Sequence, residues 1–275
     1  MQINGHDIGV CSWSLQPADV SDLVHKVRQL NLAHVQLALA EFVSADPAKR
    51  QAMLSAIRES GLHVTAGMIN FAGEDYTTIA SIRRTGGYAP DDDWPRRKAD
   101  TLTAAGIAKD LGLKLLSTHI GFVPMSSDPK YSVMVERVGE ICSGLKEHGI
   151  TLLMETGQEK ASELLQFLND VRARNIAVNF DPANMILYGA GNPIEAIRIL
   201  GRHIGHVHVK DAVKSETPGT KWGEEVPFGR GEVPVKNFLR ALEDVGYAGP
   251  LVIEREAGAD RLADVRFAIN TLSKV

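Results

Sequence analysis

A closed (β/α)8 barrel is the fold this sequence predicts, and three observations predict it. Short β-rich runs alternate with amphipathic helical patterns from one end of the 275-residue chain to the other, the pattern of a parallel sheet with crossover helices. About eight such runs can be counted, the number that closes a barrel. Their spacing is mostly about 25 to 35 residues, the length of a βα unit. α/β barrels of this length commonly form one unit, and no linker or low-complexity stretch interrupts the chain, so residues 1–275 read as a single barrel domain.

The predicted strands are Ile8–Ser12, His34–Leu39, Val64–Met68, Lys114–His119, Thr151–Glu155, Ala177–Asp181, His206–Lys210 and Leu251–Glu254. The helices between them carry start and stop signals. Asp46-Pro47 opens one as N-cap and first-turn proline, and Gly61 closes it; Asn192-Pro193 opens another, with Ile194, Ile197 and Leu200 on one face. Val20, Leu23, Val24, Val27 and Leu30 follow the helical repeat, so the first helix buries one stripe. Two connections are long: Asn70 to about Pro95, and Asp211 to Val235. Both follow strands, on the face where barrels of this kind keep their sites, and both are candidate lids or substrate walls.

Composition removes several function classes. A 44% hydrophobic and 23% charged chain is an ordinary globular protein. The net charge of -4 argues against a nucleic-acid partner; the densest basic cluster, Arg96, Arg97 and Lys98, follows the acidic run Asp91 to Asp93 and reads as a solvated loop and helix face. Cys11 and Cys142 lack CxxC spacing and read as small buried hydrophobes. The opening MQINGHDIGV lacks a basic segment followed by an apolar run, and no stretch approaches the roughly 20 apolar residues of a membrane span. A cytoplasmic enzyme with no membrane partner is the expectation; assembly into homo-oligomers stays open.

Four consecutive predicted strands end in ionisable residues. Glu155 closes Thr-Leu-Leu-Met-Glu, Asp181 closes Asn-Phe-Asp, and Glu254 closes Leu-Val-Ile-Glu. In His206-Val-His208-Val-Lys210 the period of two puts both histidines and the lysine on one face. Any one such residue has a bland explanation, a helix cap or a solvent-facing acid. Several carboxylates at one barrel mouth repel each other unless a cation neutralises them. The oxygen-rich set suits one divalent ion, Mn2+ first, with Mg2+, Co2+ and Zn2+ as alternatives.

At these residues the chain resembles the xylose-isomerase-like sugar isomerase and epimerase superfamily, which includes ketose 3-epimerases, hydroxypyruvate isomerases and endonuclease IV. The resemblance spans nearly the whole chain and is specific mainly from Met154 to Glu256. It is carried by Leu-Met-Glu155-Thr-Gly, Asn-Phe-Asp181-Pro-Ala-Asn184, Gly-His206-Val-His208-Val-Lys210-Asp211, Pro-Phe-Gly229-Arg-Gly231-Glu-Val-Pro and Ile-Glu254-Arg-Glu256. The resemblance implies a metal held by Glu155, Asp181, His208 and Glu254, with Glu155 and Glu254 also acting as acid and base. It implies that His206, Asn184 and Lys210 contact substrate hydroxyls, and by parity with Ser117 the strand-end His119 joins them. The choice of His208 over His206 as ligand rests on the resemblance alone. Gln36 stands where many members carry Glu, which counts against a substrate contact there. Asn184 stands where the ketose 3-epimerases have His, which widens the range of expected substrates. Trp13, Phe71, Trp222 and Phe228 are candidate sugar-stacking rings. Gly229-Arg-Gly231 lacks the dinucleotide pattern, and Arg230 reads as a surface arginine.

The expected activity is isomerisation or epimerisation of a keto sugar by proton abstraction through a metal-stabilised cis-enediolate. A dehydratase or lyase using the same enediolate is the alternative. A non-catalytic sugar-binding barrel and an endonuclease-IV-like phosphodiesterase rank below both.

Overall fold

The computed structural model describes residues 1–275. Its parallel strands are β1 (His6–Cys11), β2 (His34–Ala38), β3 (His63–Met68), β4 (Leu115–Thr118), β5 (Thr151–Glu155), β6 (Ile176–Phe180), β7 (Ile204–Val209) and β8 (Leu251–Ile253). Each pairs with its sequence neighbour, and β1 pairs with both β2 and β8, so the sheet closes into a (β/α)8 barrel. Gln2–Ile3 adds a short antiparallel strand to β1. One cluster of 59 buried apolar residues joins the strands to the surrounding helices. Such strands, covered on both sides, read as near-continuous Val/Ile/Leu runs, as Leu152-Leu-Met154 and Leu251-Val-Ile253 do.

The helix signals act as read. Asp46 caps Pro47–Glu59 by accepting from the backbone N–H of Ala48 and Lys49, and Asn192 caps Pro193–Leu200 through Ile194 and Glu195. The expected strands differ at their ends: His119, Asp181, Lys210 and Glu254 lie one residue past β4, β6, β7 and β8. They stand at the C-terminal mouth, where the backbone leaves the ladder and side chains turn over the opening.

The two long connections meet over that mouth. The first contains a helix, Ile79–Thr85, and the second a two-stranded ribbon, Asp211–Val213 with Glu224–Val226. Trp222 Nε1 donates to the Tyr76 carbonyl across 3.1 Å, tying one connection to the other. The expectation of a solvated Arg97 is corrected: it is fully buried, donates to the carbonyls of Thr85 and Gly87 and to Asp93, and lies over the Phe71 ring. Its guanidinium satisfies carbonyls at the C-terminal end of the helix Ile79–Thr85 and just beyond it, which have no partner further along the helix. Cys11 and Cys142 are buried free thiols.

Candidate metal centre and substrate cavity

Glu155, Asp181, His208 and Glu254 converge at the barrel mouth, with ligand atoms all within 4.8 Å of one another. His208 Nδ1 lies 3.4 Å from Glu155 Oε1, 3.5 Å from Asp181 Oδ2 and 3.2 Å from Glu254 Oε2. His208 Nδ1 and Asp181 Oδ2 are buried without a hydrogen-bond partner. Buried polar atoms are rarely left so, and two facing each other among carboxylates fit the ligand shell of a cation. Cys11 also approaches His208 and Glu254, and burial pushes its thiol up to about 12; a soft sulfur is the poorer match for a cation that the carboxylates already suit.

Asp181 divides its two oxygens. Oδ1 caps the helix Pro182–Tyr188 by accepting from Ala183 and Asn184 N–H, while Oδ2 faces the cluster. Helix cap and candidate ligand are therefore one side chain. Burial raises its pKa to about 6. Glu254 Oε1 accepts from Trp13 Nε1 across 2.7 Å, and Oε2 pairs with Lys210 Nζ at 2.9 Å. Lys210 also reaches Glu256 at 2.7 Å. Burial opposes both charges, yet the mutual attraction wins: Glu254 is held well below, and Lys210 well above, its ordinary range. For Glu155 burial is likewise outweighed, by His119 and then His208, so its carboxyl is held low. Glu155, Asp181 and Glu254 set against Lys210 leave an excess of negative charge that a divalent cation would neutralise.

The ligands stand on neutral polar partners. Burial opposes a charge on His208, but Cys11, Glu254 and Glu155 outweigh it and hold its pKa well above the ordinary range; with a cation on Nδ1 the imidazole would keep its proton on Nε2 and donate to Gln36 Oε1, 2.6 Å away. Gln36 is fully buried and orients the imidazole. Asn179 Nδ2 donates to Glu155 Oε2, and its Oδ1 accepts from His206 Nδ1 at 2.9 Å. His206 Nε2 in turn accepts from Thr65 Oγ1 at 3.0 Å. Thr65 is the extra residue of a bulge, since Val35 pairs Val64 and Gln36 pairs Ala66. His206 is fully buried, held neutral by burial and by His208, and absent from the cavity wall. The substrate contact expected of it is corrected accordingly: both ring nitrogens are already taken, and it supports Asn179 instead.

A cavity of about 400 Å³ opens above the cluster. His119, Asn184, Lys210 and Glu254 line it, with Glu256 beside them. His119 Nε2 is 3.5 Å from Glu155 Oε1, and Asn184 Nδ2 donates to the same oxygen at 3.0 Å. Gly157 permits this approach, since a Cβ there would stand 2.5 Å from that of Asn184. Trp13 and Trp222 form part of the wall. Phe71 and Phe228 do not: they pack into the core against Tyr88 and Phe238. Tyr76 and Tyr188 take their place in the wall. The sequence reading missed both, together with the supporting roles of Gln36 and Asn179. The available signal was a polar side chain inside an apolar strand for Gln36 and Asn179, and a place in a long strand-following loop for Tyr76.

The segment Pro-Phe-Gly229-Arg-Gly231-Glu-Val-Pro is held by Asp211. Asp211 accepts from the N–H groups of Ala212, Gly229, Gly231 and Val233, and a Cβ on Gly231 would stand 2.3 Å from Asp211 Oδ1. Arg230 lies over Phe267, and Arg255 pairs with Glu225 and Asp264. No helix is long and apolar enough to cross a membrane.

Comparison with known proteins agrees with this architecture. A xylose isomerase domain protein from Planctomyces limnophilus is 36% identical, with a TM-score of 0.85 over 91% of each chain. D-psicose 3-epimerase from Clostridium cellulolyticum H10, solved with D-tagatose, shares the fold at 18% identity, with a TM-score of 0.73 over 98% of each chain. The uncharacterized Escherichia coli protein YihM is 28% identical over 122 residues, 44% of this chain and only 37% of its own length. The family model of the xylose isomerase-like TIM barrel matches residues 24–274, and the chain belongs to that family.

Proposed function

We propose that this chain is a metal-dependent isomerase or epimerase of a keto sugar, working by proton abstraction next to the carbonyl through a cis-enediolate. The observation that carries the reading is the pair of buried glutamates, Glu155 and Glu254, set among the cluster of candidate ligands on the floor of a sugar-sized cavity. A divalent ion held by Glu155, Asp181, His208 and Glu254, with Mn2+ or Mg2+ suiting the oxygen-rich set, would stabilise the negative charge that develops as the carbon loses its proton.

The remaining chemistry belongs to the side chains. Glu155 and Glu254 are both kept ionised, so either can accept a carbon-bound proton, and the other can deliver one to the opposite face after taking it from a substrate hydroxyl or from water. Return on the opposite face is epimerisation; return to the neighbouring carbon is isomerisation. His119, Asn184 and Lys210 line the cavity beside Glu155 and Glu254 and orient the sugar hydroxyls. Tyr76 and Trp222, tied together, shield the site from water. The test is exchange of a carbon-bound proton of a keto sugar in D2O by the metal-loaded protein. Metal-dependent exchange is expected; none across a panel of free keto sugars and keto-glycosides would contradict the reading.

Dehydration is the second reading, and Lys210 favours it. A buried ammonium facing the cavity is placed to donate a hydrogen bond to a β-oxygen leaving the same enediolate and to offset the negative charge that develops on it. An unsaturated product in the same assay would select it.

A further inference from the structure

Of the five tyrosines in the chain, four have a protein partner for the hydroxyl. Tyr88 shares a hydrogen bond with Thr101 at 3.0 Å, Tyr131 donates to Asp170 at 2.6 Å, Tyr188 accepts from Gln158 at 3.3 Å, and Tyr247 donates to the Pro250 carbonyl at 2.7 Å. Tyr76 is the exception. Trp222 fixes its backbone by donating to its carbonyl, and no protein group bonds its hydroxyl. Its ring stands in the wall of the sugar cavity, tilted edge-on to His119 with ring centroids 6.4 Å apart. Desolvation, then Glu74 and Tyr188, then Glu155 and Glu256 push its pKa up, so the phenol keeps its proton and remains a donor. A tyrosine hydroxyl taken out of bulk water normally has a partner, and one that borders a cavity without a protein partner is aimed at what fills it.

The place of the ring says which part of the substrate it meets. His119 Nε2 lies 3.5 Å from Glu155 Oε1, and Tyr76 stands beyond His119, further from the acid–base pair. Lys210, the one cation in the cavity wall, is already held by Glu254 and Glu256, so nothing beside Tyr76 compensates an anionic group. We infer that Tyr76 is a specificity-determining residue, its hydroxyl donating to a hydroxyl oxygen of the substrate beyond the two carbons of the enediolate and so favouring longer keto sugars over the shortest. The inference rests on the sugar-site reading above. With its backbone held by Trp222 and its ring packed at His119, the donor is oriented before the sugar arrives, so little ordering opposes the bond.

The experiment compares wild type and Tyr76→Phe, which keeps the ring and removes only the hydroxyl, as Mn2+-loaded full chains exchanging carbon-bound protons of dihydroxyacetone, D-ribulose and D-fructose in D2O. Dihydroxyacetone has a single carbon beyond the enediolate pair, whereas the longer sugars carry hydroxyls further along the chain. The ratio of kcat/KM for D-ribulose or D-fructose to that for dihydroxyacetone is expected to fall in the variant by about three- to tenfold, the usual worth of one neutral hydrogen bond. The loss should appear mainly in KM, because the bond is made away from the reacting carbons. Mn2+ affinity, read separately by electron paramagnetic resonance, should not change. An unchanged ratio for both longer sugars would overturn the inference and leave the isomerase reading standing. An equal loss on all three sugars, or a loss of Mn2+ affinity, would overturn it as well, since the ring would then act through the metal centre or the fold. No exchange of any of the three by the wild type would remove the inference together with the reading on which it rests.

Discussion

The two halves of the barrel do different work. Strands β5 to β8 and the positions just after them bring the ionisable groups: Glu155, Asp181, His208, Lys210 and Glu254. Strands β1 to β3 bring mainly neutral partners that hold those groups: Gln36 on His208, Thr65 on His206, and Trp13, just after β1, on Glu254. A charged centre set wholly on one side of the mouth is oriented by dipoles from the other, which fix direction without adding to the repulsion.

The comparison breaks most visibly if the charged half is neutralised. Glu155→Gln and Glu254→Gln should each lower deuterium exchange into a keto sugar by about a thousandfold or more, since each removes a base and a candidate ligand together. Exchange at the wild-type rate in both variants would remove the glutamates from the mechanism.

Glu159 crosses the divide, an acid of the second half that accepts from the Val123 N–H at 2.9 Å. Burial pushes its pKa from 4.5 to about 7, so the folded chain holds this proton more tightly than the unfolded one. Its contribution is therefore complete below pH 4.5 and lost as pH rises through 7. Glu159→Gln keeps an acceptor for Val123 and never ionises. Its stability relative to wild type should rise between pH 5 and pH 8 by up to ~3 kcal/mol, measured by denaturant titration at both pH values. A difference that does not change with pH would contradict the assignment.

The neutral half can be tested without removing a charge. Gln36→Leu should weaken divalent-metal binding by roughly 10- to 100-fold, the usual cost of removing a partner that orients a ligating histidine. Gln36→Glu supplies the same acceptor to Nε2–H and should cost only a few-fold. Equal losses in the two variants would show that shape, and not the hydrogen bond, positions His208.

The same division explains what the sequence made legible. Strand-end acids announce themselves because an ionisable residue closes an apolar run, so Glu155, Asp181 and Glu254 stand out one strand at a time. Their supporters are legible only as pairs: Gln36 and His208 are 172 positions apart, and nothing local says that they meet. His206 and His208 share a face by period, and only the bulge at Thr65 and the neighbour Asn179 decide that one is buried support while the other faces the carboxylates. Arg97 was misread for the same reason. Its carbonyl partners, Thr85 and Gly87, lie at the end of a helix and just past it in another part of the same long connection, and nothing local says that they meet Arg97. The barrel was readable because alternation of strand and helix is a local pattern repeated along the whole chain.

The central claim is that Glu155, Asp181, His208 and Glu254 share one divalent ion, and the direct measurement is Mn2+ binding followed by electron paramagnetic resonance in wild type and Asp181→Asn. Asparagine keeps the capping oxygen for Ala183 and Asn184 while removing the charge on the atom that faces His208. One tightly bound equivalent in the wild type, lost in a variant that still folds, is the predicted result. An unchanged equivalent in Asp181→Asn, or none in the wild type, would contradict the account.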